Sequence, residues 1–238
     1  MDKPLSVFPK GAGGMTAEKT SGRQMSDTFR AAAFIILSGG FQDAYTYFCR
    51  GEVFANAQTG NIVLMSTAFF RSEWGAVLKY LIPVCSFLIG TAVAELIHVK
   101  LKKCERIHWR QIILAVEIVI LFAVGFLPRS VDPLANALVS FVCAMQVQTF
   151  HKVRGHAYAS TMCIGNMRSG TESFCEFART GNKAALHKAA TYFSVILVFA
   201  VGAGISSAAV ATLGDRSILI CCASLAVSFF MMFREKVK

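Results

Sequence analysis

Arg50-Gly51-Glu52-Val53-Phe54-Ala55-Asn56-Ala57-Gln58-Thr59-Gly60-Asn61 is a run of amides, hydroxyls and glycines set between two apolar segments. A weaker copy follows in the second half of the chain, Arg154-Gly155-His156-Ala157-Tyr158-Ala159-Ser160-Thr161-Met162-Cys163-Ile164-Gly165-Asn166. Both read R-G-x-x-aromatic-A and, a few residues on, G-N. What these two polar interludes interrupt decides the fold.

They interrupt hydrocarbon-like sequence. Hydrophobic residues make up 55% of the 238-residue chain, charged ones 16%, and the mean hydropathy is +0.53. A soluble domain carries about a quarter charged residues, and a core of this size could not hide twenty phenylalanines. The apolar runs are continuous rather than alternating, which argues against a β-barrel and predicts an all-α polytopic membrane protein. Six segments are long enough for a 30 Å hydrocarbon layer, which takes about 20 residues: 29–48, 79–98, 111–127, 134–150, 189–213 and 217–233. Two further pieces, 60–70 and 165–178, look helical but short, and the second carries Arg168, Glu172, Glu176 and Arg179.

Charge gives the orientation. With six spans, a cytoplasmic N-terminus and both short pieces re-entering on the side they left, 19 Lys and Arg fall inside and five outside (Arg50, Arg71, Lys79, Arg129, Arg216). If the short pieces crossed instead, the split would be 15 to 9. The excess of Lys and Arg on cytoplasmic loops favours six spans. The net charge of +10 therefore reads as topology, not as a nucleic-acid footprint, and no nucleic-acid partner is expected. The predicted address is the inner membrane, multi-pass, with both termini cytoplasmic. Residues 1–28 read as a disordered tail lacking the apolar run of a signal peptide; residues 29–128 and 129–238 read as two membrane repeats.

Aligning Arg50 on Arg154 also lays Gln42 on Gln146, Phe54 on Tyr158 and Ala55 on Ala159, and one extra residue brings Gly60-Asn61 onto Gly165-Asn166. Three spans per half oblige the second half to enter from the opposite side, a 3+3 inverted repeat of the kind secondary transporters use. Irregular backbone at membrane depth must be buried in protein or line a wet cavity. Asn61 and Asn166, with Thr59 as a second candidate, are expected to cap two half-helices. Their free N–H groups and positive dipole ends would then face each other and suit an anion.

The candidate solute-binding residues are Asp43, Asn56, Gln58, Thr59, Gly60, Asn61, Gln146, Gln148, Gly165 and Asn166. Ionisable residues inside spans mark coupling or transport pathways by default, which singles out Asp43 and Glu117 as coupling groups. Asp43 could take up a proton, bind a cation, pair with Arg50 or Arg168, or cap a helix end. Gln42 offers uncharged hydrogen bonds to a solute or between helices, and Arg168 is either an anion-selecting or a positive-inside residue. Eight scattered cysteines show no disulfide or zinc spacing. His151, His156 and Cys163, like His98, Cys104 and His108, match no tight metal site. No P-loop, nucleophile elbow or HExxH occurs, so neither an enzyme nor a cofactor or metal is expected.

The run Gly40-Phe41-Gln42-Asp43-Ala44-Tyr45-Thr46-Tyr47, followed by Arg50 to Asn61, resembles the YoaK-like bacterial membrane family. The resemblance is specific over residues 34–66 and extends over most of the chain beyond the tail. It implies an integral inner-membrane protein and supplies no substrate. The expected partners are the bilayer and a small-molecule or ion solute, and a homodimer is compatible with the architecture. A channel of the same build and a non-transporting sensor or assembly factor are the alternatives to a transporter. Reporter fusions test the orientation: a reporter active only in the cytoplasm should work after Lys238 and in loop 99–110, and fail after Arg71 or Arg129.

Overall fold

The computed structural model of the chain describes residues 29–101, 109–153, 156–158, 161 and 163–233. The N-terminal tail, Cys104, His108 and Arg154, Gly155, Ala159, Ser160 and Met162 of the second polar stretch lie outside the described residues. The helices are α1 (Phe29–Cys49), α2 (Gln58–Phe70), α3 (Trp74–Leu101), α4 (Trp109–Val124), α5 (Asp132–Thr149), α6 (Cys163–Thr180), α7 (Lys183–Leu213) and α8 (Leu219–Phe233). Short 3-10 turns, Arg129–Val131 and Gly214–Ile218, precede α5 and α8. Two-residue strands β1 (Lys152–Val153) and β2 (His156–Ala157) pair antiparallel.

Three helical stretches among the described residues are long and apolar enough to cross a membrane: Trp74–Leu101, Arg129–Thr149 and Lys183–Met232, the last comprising α7, its turn and α8. Helix α1, at 21 residues, is about 31 Å long, the thickness of the hydrocarbon layer. It also buries Ser38, Gln42, Asp43 and Thr46, so these polar groups face protein.

Hydrogen bonds give the helix directions. Gln146 Nε2 donates to the Ile35 carbonyl at one end of α1 and Asn136 Nδ2 to the Arg50 carbonyl at the other, so α1 and α5 are antiparallel. Ser224 and Ser228 donate to the Phe34 and Ala31 carbonyls, which makes α8 antiparallel to α1 as well. Helix α7 runs with α1. Tyr192 and Val195 pack on Ala32 and Ile36, Gly202 lies against Leu37, and Asp215, beyond its end, is held by Tyr45. Helix α3 runs with α5, Gly90 lying against Phe141 and Glu95 accepting from Gln148.

The contacts fall into matching pairs. The most extensive are α1 with α7 and α3 with α5; then come α6 on α7 and α2 on α3, α1 on α8 and α5 on α4, with α4 against α8 closing the bundle. Three glycines make the closest approaches. A Cβ at Gly40 would overlap the Phe199 carbonyl, one at Gly202 the Leu37 carbonyl, and one at Gly90 the Phe141 carbonyl. Small residues at such crossings let helix backbones approach where lipid offers no hydrophobic drive. Each of Gly40→Ala, Gly90→Ala and Gly202→Ala is expected to cost about 1–3 kcal/mol by overpacking, measured as a lower melting temperature in detergent. Gly204→Ala, with nothing within 4 Å, should be neutral.

Candidate functional site

Helix α1 ends in a tight reversal. Gly51 (φ 82°) and Glu52 (φ 58°) both adopt the left-handed region, and the Glu52 amide donates back to the Tyr47 carbonyl. The chain then descends alongside α1. Asn56 N donates to Asp43 Oδ1 at 2.8 Å and Asn56 Nδ2 to the Gly39 carbonyl at 3.2 Å. Gly39 is the middle residue of α1, eleven residues before Arg50, so the loop sinks about 16 Å below the Arg50 end. Helix α2 climbs back to that end, since α3, which follows it, begins there with Lys79 beside Gly51.

The second polar stretch reaches the same level. A Cβ at Gly39 would lie 2.6 Å from Thr161 Cγ2 and 3.2 Å from Gln146 Nε2. Helix α6 leaves this point toward the Phe29 end, where Gly170 packs on Tyr192 and Phe193. Two loops that enter from opposite ends of the bundle thus meet around Gly39, with Asn56 on one side and Thr161 on the other.

The first loop is closed by its own side chains. Asn61 Nδ2 donates to the Phe54 carbonyl at 2.7 Å and to Gln58 Oε1 at 2.9 Å, Asn61 Oδ1 accepts from Phe54 N, and Gln58 Nε2 donates to the Ala55 carbonyl. Tyr47 stacks on Phe54 at 4.8 Å. These bonds satisfy backbone groups that would otherwise be stranded away from water.

Several sequence expectations change here. Asn61 and Asn166 are the fourth residues of α2 and α6, not their caps; α2 begins after Ala57 without a side-chain cap. Asn61 is instead spent on the preceding loop. The residues that meet at the junction are Asn56 and Thr161, one turn before the two G-N pairs. Thr59 and Gly165 are exposed and Gly60 packs on Phe54. Asn166 is buried. Gln146 borders the junction, whereas Gln148 lies elsewhere, donating to Glu95 at 2.8 Å. Asp43 pairs with neither arginine: Arg168 bonds Glu172 and Arg50 bonds Asp132, both at 2.9 Å. Gln42 accepts from the Cys143 thiol at 3.0 Å and donates to Ser38, so it joins helices. Glu117 is fully buried in α4. Thr161 and Gly39 were not candidates. The signal for Thr161 was present, because it stands two residues before α6 as Asn56 stands two before α2.

Arg50 was counted as an outer-loop charge, yet it is fully buried. Its Nη1 meets Asp132 Oδ1, its Nε donates to Tyr45 Oη at 2.8 Å, and its Nη2 donates to the Val124 and Leu127 carbonyls at 3.2 and 3.1 Å. It therefore caps the C-terminal end of α4 while tying it to α1 and α5. Nearby, Asp215 accepts from Cys49 Sγ and Arg129 Nε. Partial burial pushes the Asp215 carboxyl up, but the Cys49 thiol and the Arg50 and Arg129 guanidiniums outweigh it and hold it below the usual carboxylate range. An open cavity of about 500 Å³, lined by Tyr47, Glu52, Lys79, Arg129 and Asp132 among others, lies over this cluster.

Apolar helices with their polar groups turned inward, and two polar loops brought to the mid-height of a membrane-length helix, define a helical integral membrane protein. The family described as protein of unknown function (DUF1275) matches residues 31–231, and the chain belongs to that family. It is similar to the UPF0700 transmembrane protein YoaK of Bacillus subtilis (strain 168), with 27% identity over 180 residues, covering 72% of this chain and 79% of that protein. No solved structure matches.

Asp132→Asn should strand the fully buried Arg50 guanidinium and cost about 3–5 kcal/mol, read as a fall in detergent melting temperature. Arg50→Met with Asp132→Asn should recover part of that loss, and the double-mutant cycle measures the coupling.

Proposed function

We propose that this protein is a secondary transporter of a small polar solute, built as two inverted three-span halves and working at the Gly39 junction. The observation that carries the reading is the convergence of two polar loops from opposite ends of the bundle on the middle of α1. Broken segments meeting at mid-membrane are where transporters of inverted-repeat build hold their solutes.

The helix contacts support the repeat. Matching α1 to α5, α2 to α6, α3 to α7 and α4 to α8 turns each major contact into its partner. The offset that lays Gln42 on Gln146 also lays Leu37 on Phe141, the two residues whose carbonyls receive Gly202 and Gly90. Gly60-Asn61 and Gly165-Asn166 occupy the third and fourth positions of α2 and α6. On this reading α1, α3, α4, α5, α7 and α8 cross, α2 and α6 re-enter, and the positive-inside split puts the Phe29 end in the cytoplasm.

Asp43 bears on the solute. The anion preference expected from two free helix ends assumed unclaimed N–H groups. In the first copy the Asp43 carboxylate already takes the Asn56 amide, with those of Ala55 and Ala57 beside it. The aligned position in the second copy is Val147. With one acidic group and the Asn56 and Thr161 side chains around Gly39, the junction favours a neutral or cationic solute that offers hydrogen-bond donors. Gly39, Asn56 and Gln146 are buried, which corresponds to an occluded step of alternating access.

Purified protein in liposomes, offered a panel of neutral, cationic and anionic small solutes, should take up at least one neutral or cationic member saturably. Gly39→Val, which fills the junction, should reduce uptake to that of empty liposomes while the protein stays monodisperse. No uptake across the panel would remove the transport reading, and non-saturating flux would turn it into a channel.

A further inference from the structure

Among the described residues Glu117 is, with Asp43, one of two buried acidic groups, and it stands apart from the junction. It lies in the middle of α4, fully buried, and neither carboxyl oxygen has a hydrogen-bond partner among the described residues. One turn to either side, Ile113, Leu114 and Leu121 are completely buried in apolar clusters. An ionised carboxylate there would have neither a counter-charge nor a donor.

Every element packed on α4 bears this out. From α5 the titratable neighbour is Cys143, whose thiol donates to Gln42. From α8 they are Cys221 and Cys222, whose thiols donate to the Ser38 and Ile118 carbonyls. From α3, Glu95 and His98 sit at the Trp109 end of α4, with the His98 ring 4.5 Å from that of Trp109. From the turn before α8, Asp215 belongs to the Cys49–Arg129 cluster at the opposite end. Arg110 lies beside Trp109 and Arg50 caps the Val124 carbonyl, each seven residues or about 10 Å along the axis from Glu117.

We propose that Glu117 is a proton-binding site and holds its proton in this conformation, as a neutral carboxylic acid in the apolar centre of the bundle. Of the common coupling ions only the proton fits. A metal cation gathers several oxygen ligands, and here it would find two from a single carboxyl. Toward the junction, the neighbour that α5 brings against α4 is Cys143, whose thiol donates to Gln42, the residue next to Asp43 on α1. For its role as the coupling group of a proton-driven transporter, the site rests on the transport reading above; the bound proton itself does not.

Infrared spectroscopy of the detergent-purified protein at mildly alkaline pH tests the site without any solute. A protonated carboxyl gives a carbonyl stretch distinct from the carboxylate bands, and its D2O-sensitive intensity should fall by one carboxyl in Glu117→Gln. Should that variant fail to fold, labelling glutamate carboxyls with carbon-13 in the wild-type protein decides, because the band must shift if it belongs to a glutamate. No carbonyl stretch, a stretch unchanged in Glu117→Gln, or one insensitive to the glutamate label overturns the proposal. Coupling is read separately, from acidification of dye-loaded liposomes under an imposed potential and the solute that Gly39→Val blocks. Wild-type protein should acidify them, and Glu117→Gln should fall to the rate of empty liposomes. A glutamate carbonyl stretch without acidification upholds the proton site and overturns its coupling role.

Discussion

A backbone N–H buried away from water needs an acceptor inside the protein, and the Asp43 carboxylate answers that need at the deepest point of the first loop. It accepts from the Asn56 amide at 2.8 Å, with the Ala55 and Ala57 amides alongside. Without an acceptor on α1, the chain could not leave helical geometry at the level of Gly39, because unpaired amides would be left in an apolar interior. Everything near the junction follows from that anchorage. Asn56 is placed to bond the Gly39 carbonyl, Asn61 and Gln58 close the loop behind it, and α2 starts partway down α1 instead of at its end. Asp43 thus serves structure first: its carboxylate is already engaged by the loop backbone.

The Arg50 cluster solves the complementary problem at the end of α1. Helix α4 finishes at Val124, where the last carbonyls have no partner in their own helix, and Arg50 donates to the Val124 carbonyl and to that of Leu127 just beyond it while its charge is met by Asp132. One guanidinium fork serves two carbonyls, a phenol and a carboxylate, a set that a lysine ammonium could not reproduce in that geometry.

Much of this was legible in the residues. The helices fall where the apolar runs lie, because only a continuous hydrocarbon-like stretch of that length can sit in lipid. The polar interludes were recognisable as segments held at depth because amides and glycine between such runs must find partners inside the protein. What was not legible is which group each polar side chain would serve. Asn61 carries the signature of a helix cap, but its side chain is claimed by the Phe54 backbone seven residues earlier. That contact depends on how the loop folds, which no local pattern encodes. Arg50 reads as a loop charge until the end of α4 arrives beside it from more than seventy residues away. Gln148 stands only two residues from Gln146 but faces Glu95, since a two-residue step along a helix turns a side chain to another face.

The exchange of partners between the two halves has a consequence for how the chain is made. Helix α1 has its broadest contact with α7, and α3 has its own with α5. A nascent polypeptide that has emerged only as far as Val124 therefore holds two helices whose main neighbours are not yet synthesised, with Gly40 and Gly90 presenting bare backbone to lipid. The carbonyls that those grooves receive, at Phe141 and Phe199, arrive only as translation of the second half proceeds. Insertion of the early segments and their consolidation are thus separated in time by the synthesis of more than seventy residues, and the ribosome's progress sets the interval during which the first half depends on the bilayer, or on the insertion machinery, for company.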